Sequence, residues 1–585
     1  MHSRILLPTI LLLILILTSA IFLFPIHVEC EYYPLEALYL FNNLPLFSSL
    51  YLSWLSLIFA LVLINERQRR NWEKPILACI FALVFIGFWV VIAPYGATGD
   101  SIWLAAHVEH ILEEGNISVE CQALTYNDFP ALQVLAASLS EICALSPLKT
   151  ANLFLLLNIL LTSGSLYVLY KKSLGNDFLA FLAILLVVEG SIAIPERMRI
   201  FYPSVLGFTF IVTLMVLLSR SKGNPLDSSQ DKLLFILLVT TAVITHAQTG
   251  LLFSLILGSL WILQRFSRTS FALSLVPLPL ILFFGWEMFW AARSFIGFTN
   301  LFSKTAQDLF SMETYSAVFR LGEANIRGDL PAWASFTRLF WWALIFGFGS
   351  LLALARLFKI DKLESLQRIE IGGLVGVSTL IIISIFAGAG GFQFVKFPFY
   401  AAIFCVPILL RFLHNIRVGG MVRLSHLLIL ALFTLSLPSF LCSVNHPNTD
   451  MVYAQQYYSA KFLNPASNNK GANLEVMADG TTYGALAYHV PNALLINIQR
   501  HPWEVTEEEE WQRLNKLVDW FRRSGATMER RAILVWSKSL PIPYQYIMGI
   551  NPRHAGWINL KEKLSLNDKF YDNGFVELYG SWLLA

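Results

Sequence analysis

The chain has 585 residues, 56% hydrophobic and only 14% charged, with 42 Lys and Arg set against 39 Asp and Glu for a formal net charge of +3. Soluble domains carry about 25% charged residues, so this composition, with a mean hydropathy of +0.60, excludes an ordinary soluble protein. It implies a polytopic membrane protein with membrane lipids as its surroundings, and no nucleic-acid partner is expected.

The opening MHSRILLPTILLLILILTSAIFLFPI resembles a signal peptide. Its apolar run exceeds the roughly 7–15 residues of a signal h-region and no clear A-x-A site follows, so it is expected to be an uncleaved first span. Further apolar runs near the ~20 residues needed to cross a bilayer predict spans at 46–64, 75–94, 148–170, 176–194, 201–219, 232–246, 250–264, 271–290, 338–358, 369–388, 397–413 and 424–442. The fold class expected is therefore a polytopic α-helical membrane protein with about thirteen transmembrane helices over 1–442.

Basic residues orient these helices. Arg67, Arg69, Arg70 and Lys74, then Lys171 and Lys172, Arg220 and Lys222, Arg265 and Arg268, Lys359, Lys362 and Arg368, and Arg417 and Arg423 fall in alternate loops. The positive-inside rule makes those loops cytoplasmic, in a multi-pass plasma-membrane protein with its N-terminus inside. The loop 95–147 holds no Lys or Arg and so lies outside, as does everything after residue 443. There the apolar runs shorten. ANLEVMADG and RRAILVWSK read as strands, EEEEWQRLNKLVDWFRRSG as an amphipathic helix, and DKFYDNGFVELYG as a hairpin around Asn573-Gly574, predicting an extracytoplasmic α/β domain over 443–585. The six cysteines, at 30, 79, 121, 143, 405 and 442, show no metal-type spacing and no disulfide framework, although Cys121 and Cys143 share one outer loop and could pair.

The outer loop 95–147 concentrates the chemistry. It carries seven acidic residues, Asp100, Glu109, Glu113, Glu114, Glu120, Asp128 and Glu141. A helix is predicted over 101–114, with Asp100, His107 and Glu114 spaced by sevens along one face. The segment ALQVLAASLSEICAL is apolar but short, so it is expected to lie along the outer interface rather than cross it. Between the two sits the turn YNDFP. Asn116-Ile117-Ser118 is a glycosylation triplet of a common kind. No Walker loop, strand-linked GxGxxG, HExxH or internal repeat is present.

An acidic residue at the membrane boundary, an interfacial helix, an Asp-aromatic-Pro turn and a second interfacial helix resemble the GT-C superfamily. These are polytopic glycosyltransferases that use polyprenyl-phosphate-linked sugars, among them protein mannosyltransferases, aminoarabinose transferases and oligosaccharyltransferase catalytic subunits. About thirteen spans before an outer domain is similar to the oligosaccharyltransferase branch, although the chain lacks WWDYG, the acceptor-sequon motif of that branch. The resemblance implies transfer of a sugar from a polyprenyl-phosphate-linked donor to a lipid, glycan or protein acceptor at the outer face. A transporter or flippase of an amphipathic substrate, or a non-catalytic scaffold of the same fold, are the other readings.

Asp100 suits the role of general base toward an acceptor hydroxyl, or of ligand to a divalent metal (Mg or Mn) that neutralises the departing phosphate; it suits a helix N-cap equally. Asp128 is either a second catalytic carboxylate or a turn residue before Pro130. His107 could join Asp100 on a metal or orient substrate, and the alternative is a plain interfacial histidine. A donor phosphate needs cations on the outer side, and three stretches supply them: PERMRIFYP with Arg197 and Arg199, the loop 291–337 with Arg293, Lys304, Arg320 and Arg327, and GGFQFVKFPFY with Lys396. Snorkelling beside lipid headgroups is the competing explanation for each. THAQTG places His246 at an outer helix end, where it orients substrate or merely braces the turn.

Overall fold

In the computed structural model the described residues are chiefly 99–117, 129–191, 200–220, 228–265, 277–291, 332–358, 363–386 and 390–418, the helices and strands named below after residue 454, and isolated positions between them. The expected spans at 5–25 and 46–64 lie outside these residues. Twelve α-helices are described up to residue 415: α1 (Gly99–Glu114), α2 (Ala131–Cys143), α3 (Pro147–Leu174), α4 (Asp177–Leu185), α5 (Pro203–Leu218), α6 (Ser229–Thr245), α7 (Ala247–Arg265), α8 (Pro277–Phe289), α9 (Ala332–Trp342), α10 (Gly349–Leu357), α11 (Ser365–Phe386) and α12 (Gly390–Asn415). Among them four stretches, Pro147–Leu174, Phe336–Leu357, Ser365–Ile383 and Phe397–Asn415, are long and apolar enough to cross a membrane. At 13 residues α2 is only about 20 Å long, short of the ~30 Å hydrocarbon core.

Local chemistry starts and stops these helices. Pro147 opens α3 at a position where its missing N–H costs nothing, and Gly175 closes it at φ 67. The Asn176 side chain then accepts from the N–H groups of Phe178 (2.7 Å) and Leu179 (3.4 Å) to begin α4, and Ser228 accepts from Asp231 N–H (3.0 Å) to begin α6. Among the described residues two π-helical turns interrupt the regular hydrogen bonding, Leu186–Gly190 after α4 and Ala343–Phe348 between α9 and α10. They face each other, since a Cβ on Gly190 would stand 2.9 Å from Ile345 and 3.2 Å from Trp341.

Lipid offers no hydrophobic force between helices, so their association relies on close packing and buried hydrogen bonds. The sequence IGGLVG of α11 carries glycines where α7 and α12 come closest. A Cβ on Gly376 would lie 2.7 Å from the Ile256 Cα and 2.8 Å from its N, and one on Gly373 would overlap the Phe404 ring. Between α3 and α5 a buried polar ladder does similar work: Thr209 Oγ1 donates to Asn158 Oδ1 (2.8 Å), and Thr162 shares a hydrogen bond with Thr209 (2.6 Å).

The last turn of α3 ties one end of the bundle together. Lys171 pairs with Asp177 (3.1 Å), Tyr167 donates to the same carboxylate (2.8 Å), and Lys172 donates to the Ser219 carbonyl at the end of α5. Ser173 meets Glu370 of α11, whose two oxygens receive Arg411 of α12 at 2.8 and 2.9 Å.

After a short ribbon of β1 (Arg417–Val418) and β2 (Val422–Arg423) comes α13 (Ala454–Ser467), followed by a five-stranded mixed sheet. Its strands are β3 (Leu474–Ala478), β4 (Leu494–Asn497), β5 (Arg531–Ser537), β6 (Asp568–Asp572) and β7 (Val576–Gly580), in the order β4-β3-β5-β7-β6. The first three run parallel and the β6–β7 hairpin is antiparallel. Period-two alternation divides the faces. Met477, Leu534, Trp536 and Tyr579 pack against α14 (Glu507–Ser524) and α15 (Ala555–Ser565), whereas Val476, Ile533, Val535 and Leu578 join the apolar cluster that includes Ala460 and Leu463 of α13. The strand, helix and hairpin readings of this region match the elements observed; β4, α13 and α15 had no counterpart in them. Cys143 carries a free, exposed thiol.

Gly376→Ala should cost about 1–3 kcal/mol, because its methyl meets backbone that cannot swing aside. Gly258→Ala, on α7, meets nothing within 4 Å and should be neutral or slightly stabilising. Thermal unfolding of the detergent-solubilised protein compares them, and equal midpoints would refute the close-approach account.

Candidate functional site

Helix α1 begins at Gly99, which puts Asp100 in its first turn rather than ahead of it. The next residue, Ser101, is buried and its Oγ accepts a hydrogen bond from the Phe201 N–H at 3.1 Å. Phe201 lies in the stretch PERMRIFYP, so two of the stretches singled out in the sequence meet here through a backbone-to-side-chain contact. A small apolar core of Leu104, Val108, Leu132, Ala136, Leu155 and Phe201 holds the corner, combining α1, α2 and α3 with the start of α5.

The third stretch, THAQTG, reaches the same corner. The Tyr202 and His246 rings stand 6.4 Å apart between centroids. His246 is extended (φ −164°, ψ 125°) and forms the hinge between α6 and α7. Its carbonyl accepts from the N–H groups of Thr249 (3.0 Å) and Gly250 (3.2 Å), and its Nδ1 lies 3.3 Å from Thr249 Oγ1. His246 therefore braces the turn while its ring faces Tyr202. Thr249 also presses on α5, where a Cβ on Gly207 would overlap the Thr249 hydroxyl. Next along α5, Phe208 stacks on Phe399 of α12 with centroids 4.3 Å apart. Lys396 belongs to α12, one helical turn before Phe399.

His107 has another setting. It is buried at 7% exposure and meets the Trp103 ring edge-on at 4.4 Å. Burial first, and the nearby His110 second, lower its pKa to about 4, so it is neutral at physiological pH. It stands seven residues, about 10.5 Å along the helix axis, from Asp100. Glu114, seven residues further on, is exposed, whereas His107 is buried.

Asp128, Arg197, Arg199 and Arg293 lie outside the described residues, as do Lys304, Arg320 and Arg327. Among the described residues no group of three or more His, Cys, Asp or Glu side chains is gathered as a metal site. Among the described residues, buried charges in the apolar helices that went unremarked in the sequence include Glu189 (0% exposed) in the π-helical turn after α4, Glu287 (4%) near the end of α8, and Arg338 (2%) in α9. Their signal was available, because an ionisable residue inside an apolar run is costly and marks a site by default. Phe283, one turn before Glu287, packs 3.2 Å from a Cβ on Gly250, beside the His246 hinge. Trp341, one turn after Arg338, packs on Gly190, next to Glu189.

Fold and geometry together define a polytopic membrane protein in which separate sequence stretches gather at one corner of a helix bundle. No protein-family model matches the sequence, and no curated protein does. Among solved structures the chain is similar to the crystal structure of the Archaeoglobus fulgidus oligosaccharyltransferase in its apo form. The identity is 13% and the TM-score 0.51, over 82% of this chain and 71% of that one. It also matches ArnT from Cupriavidus metallidurans bound to undecaprenyl phosphate, at 11% identity and a TM-score of 0.46, over 88% of this chain and 98% of that one. The likeness to the oligosaccharyltransferase is one of fold.

The buried neutral His107 makes stability depend on pH. Its folded pKa lies below the unfolded value of about 6.5, so its contribution is complete above that pH and is lost as pH falls toward 4. The loss should approach about 3 kcal/mol, and His107→Gln should flatten it. Unfolding midpoints of both proteins between these pH values measure the effect; parallel curves would contradict it.

Proposed function

We propose that this chain is an integral-membrane glycosyltransferase that moves a sugar from a polyprenyl-phosphate-linked donor to an acceptor at the outer membrane face. The observation that carries the reading is the meeting of Ser101, Phe201, Tyr202 and His246, which joins three polar stretches far apart in sequence. The oligosaccharyltransferase-like fold supports it at the level of architecture.

In this reading Asp100, next to Ser101, takes the proton of the acceptor hydroxyl as the sugar carbon becomes electrophilic. A divalent ion, Mg or Mn, held by Asp100 would neutralise charge on the departing phosphate. Arg197, Arg199 and Lys396, with Arg293 further along the outer side, bind the donor phosphate, and the buried Arg338 adds a cation whose fork suits two phosphate oxygens. Asp128 is the second carboxylate of the outer loop. His246 orients substrate from the hinge. His107, neutral and clamped on Trp103, holds α1 in position. The residues after 443 form an outer domain that contacts donor or acceptor, on the same side of the membrane as 95–147.

Asp100→Asn keeps the shape of the side chain and removes its charge, so transfer should fall about 10²–10⁴-fold while folding persists. Lys396→Ala and Arg338→Gln should instead raise the donor KM, because phosphate is present before the reaction begins. A reconstituted assay with a polyprenyl-phosphate sugar reads both parameters. Full activity in Asp100→Asn would remove it from the mechanism, and failure of the wild type to consume any lipid-linked sugar would overturn the assignment as a whole.

A further inference from the structure

The end of the bundle away from the proposed site carries a second charged centre. Arg411 grips Glu370 through both carboxylate oxygens and also donates to the Ser173 carbonyl (3.3 Å) and hydroxyl (2.7 Å). This pair is largely covered, with side-chain exposures of 16% and 8%. Its carboxylate is thereby fully committed. Arg356, in the last turn of α10, senses the charges of both Arg411 and Glu370. Its Nη1 is covered, yet among the described residues no hydrogen-bond acceptor reaches it. A covered guanidinium N–H without an acceptor is costly, and the Glu370 carboxylate is already shared out between Arg411 and Ser173.

The surroundings indicate what would satisfy it. Leu351 (63% exposed), Leu354 (53%) and Phe358 (84%) form an apolar outer face of the same helix, which in a bilayer faces acyl chains. Arg356 lies on the opposite side, among α10, α11 and α12, where Gly349 approaches Cys405 and Phe348 meets Phe412 at 5.4 Å. By the charge rule this end of α10 is cytoplasmic, since it leads into the stretch carrying Lys359 and Lys362. Basic pockets between helices at that boundary accept anionic headgroups, with the acyl chains lying along the neighbouring apolar surface.

We infer that Arg356 holds the headgroup phosphate of an anionic phospholipid of the cytoplasmic leaflet, seated between α10 and α12 beside the Arg411–Glu370 pair. The site is separate from sugar transfer and does not depend on that assignment. Arg binds phosphate through two N–H groups, so one headgroup can satisfy the covered Nη1 together with a second N–H of the guanidinium.

The test uses the full-length protein in nanodiscs of phosphatidylcholine with or without phosphatidylglycerol, with retained lipid counted by native mass spectrometry and the unfolding midpoint recorded. Wild type should keep one more phosphatidylglycerol than Arg356→Gln, with its preference over phosphatidylcholine reduced about fivefold in the variant. Phosphatidylglycerol should raise the wild-type midpoint and leave that of the variant unmoved. Arg356→Lys keeps a cation without the fork and should fall between the two, which maintains the test if Arg356→Gln fails to fold. Equal retention by wild type and either variant would overturn the inference. So would inorganic phosphate reproducing the wild-type shift in phosphatidylcholine alone, since the site would then take a free anion.

Discussion

The contact on which the helical bundle depends is the near-touching of two backbones, where Gly376 of α11 meets Ile256 of α7. Inside a bilayer, apolar side chains gain nothing by leaving lipid for one another, so helices hold together where their surfaces approach closely. Three glycines on one side of α11 permit that approach to α7 and α12 together. With this triple layer in place, α5 can dock through Phe208 on Phe399 and α3 through its Asn158–Thr209 ladder. A similar approach at Gly207 and Thr249 brings α5 to the hinge at His246, so the geometry that binds the helices also shapes the candidate site.

The two ends of the bundle use charge differently. At the end of α3, carboxylates and cations are matched side by side: Asp177 with Lys171, Glu370 with Arg411, and Asp231 with Arg220. Removing one partner of the covered Glu370–Arg411 pair would strand a buried charge, so this end is strongly specified in its arrangement. Fixed pairs at one end suit a rigid base. Toward the other end, Glu189, Glu287 and Arg338 are buried on separate helices. The facing π-helical turns at Gly190 and Ile345 lie beside two of those charges, in keeping with the tendency of such turns to fall near functional sites.

Much of the architecture was legible in residue pattern. The runs at 148–170, 369–388 and 397–413 are helices within one to seven residues of the expected ends, because a long apolar run without helix breakers has few other options in lipid. The strands at 474–478 and 531–537 and the hairpin around Asn573-Gly574 were equally plain from alternation and turn chemistry. Strand β4 was not, since LLIN is short and apolar throughout, and periodicity cannot tell such a run from a buried helix. Helix α4 was expected to continue to 194 as regular helix; its π-helical end at Glu189 left no trace in hydropathy.

What the sequence determined by itself was the solvent. Its composition requires a membrane, its basic loops propose an orientation, and its acidic loop 95–147 marks where chemistry is to be sought. Each of these follows from the cost of moving polar groups into hydrocarbon, a property of residues one at a time. Only the tertiary structure decided which polar residues meet. That Ser101 receives the Phe201 N–H, that Tyr202 faces His246, and that His107 is buried against Trp103 depend on how closely helices far apart in the chain can pack. That distance is set by a few glycines and threonines whose smallness shows no periodicity and whose partners lie scores of residues away.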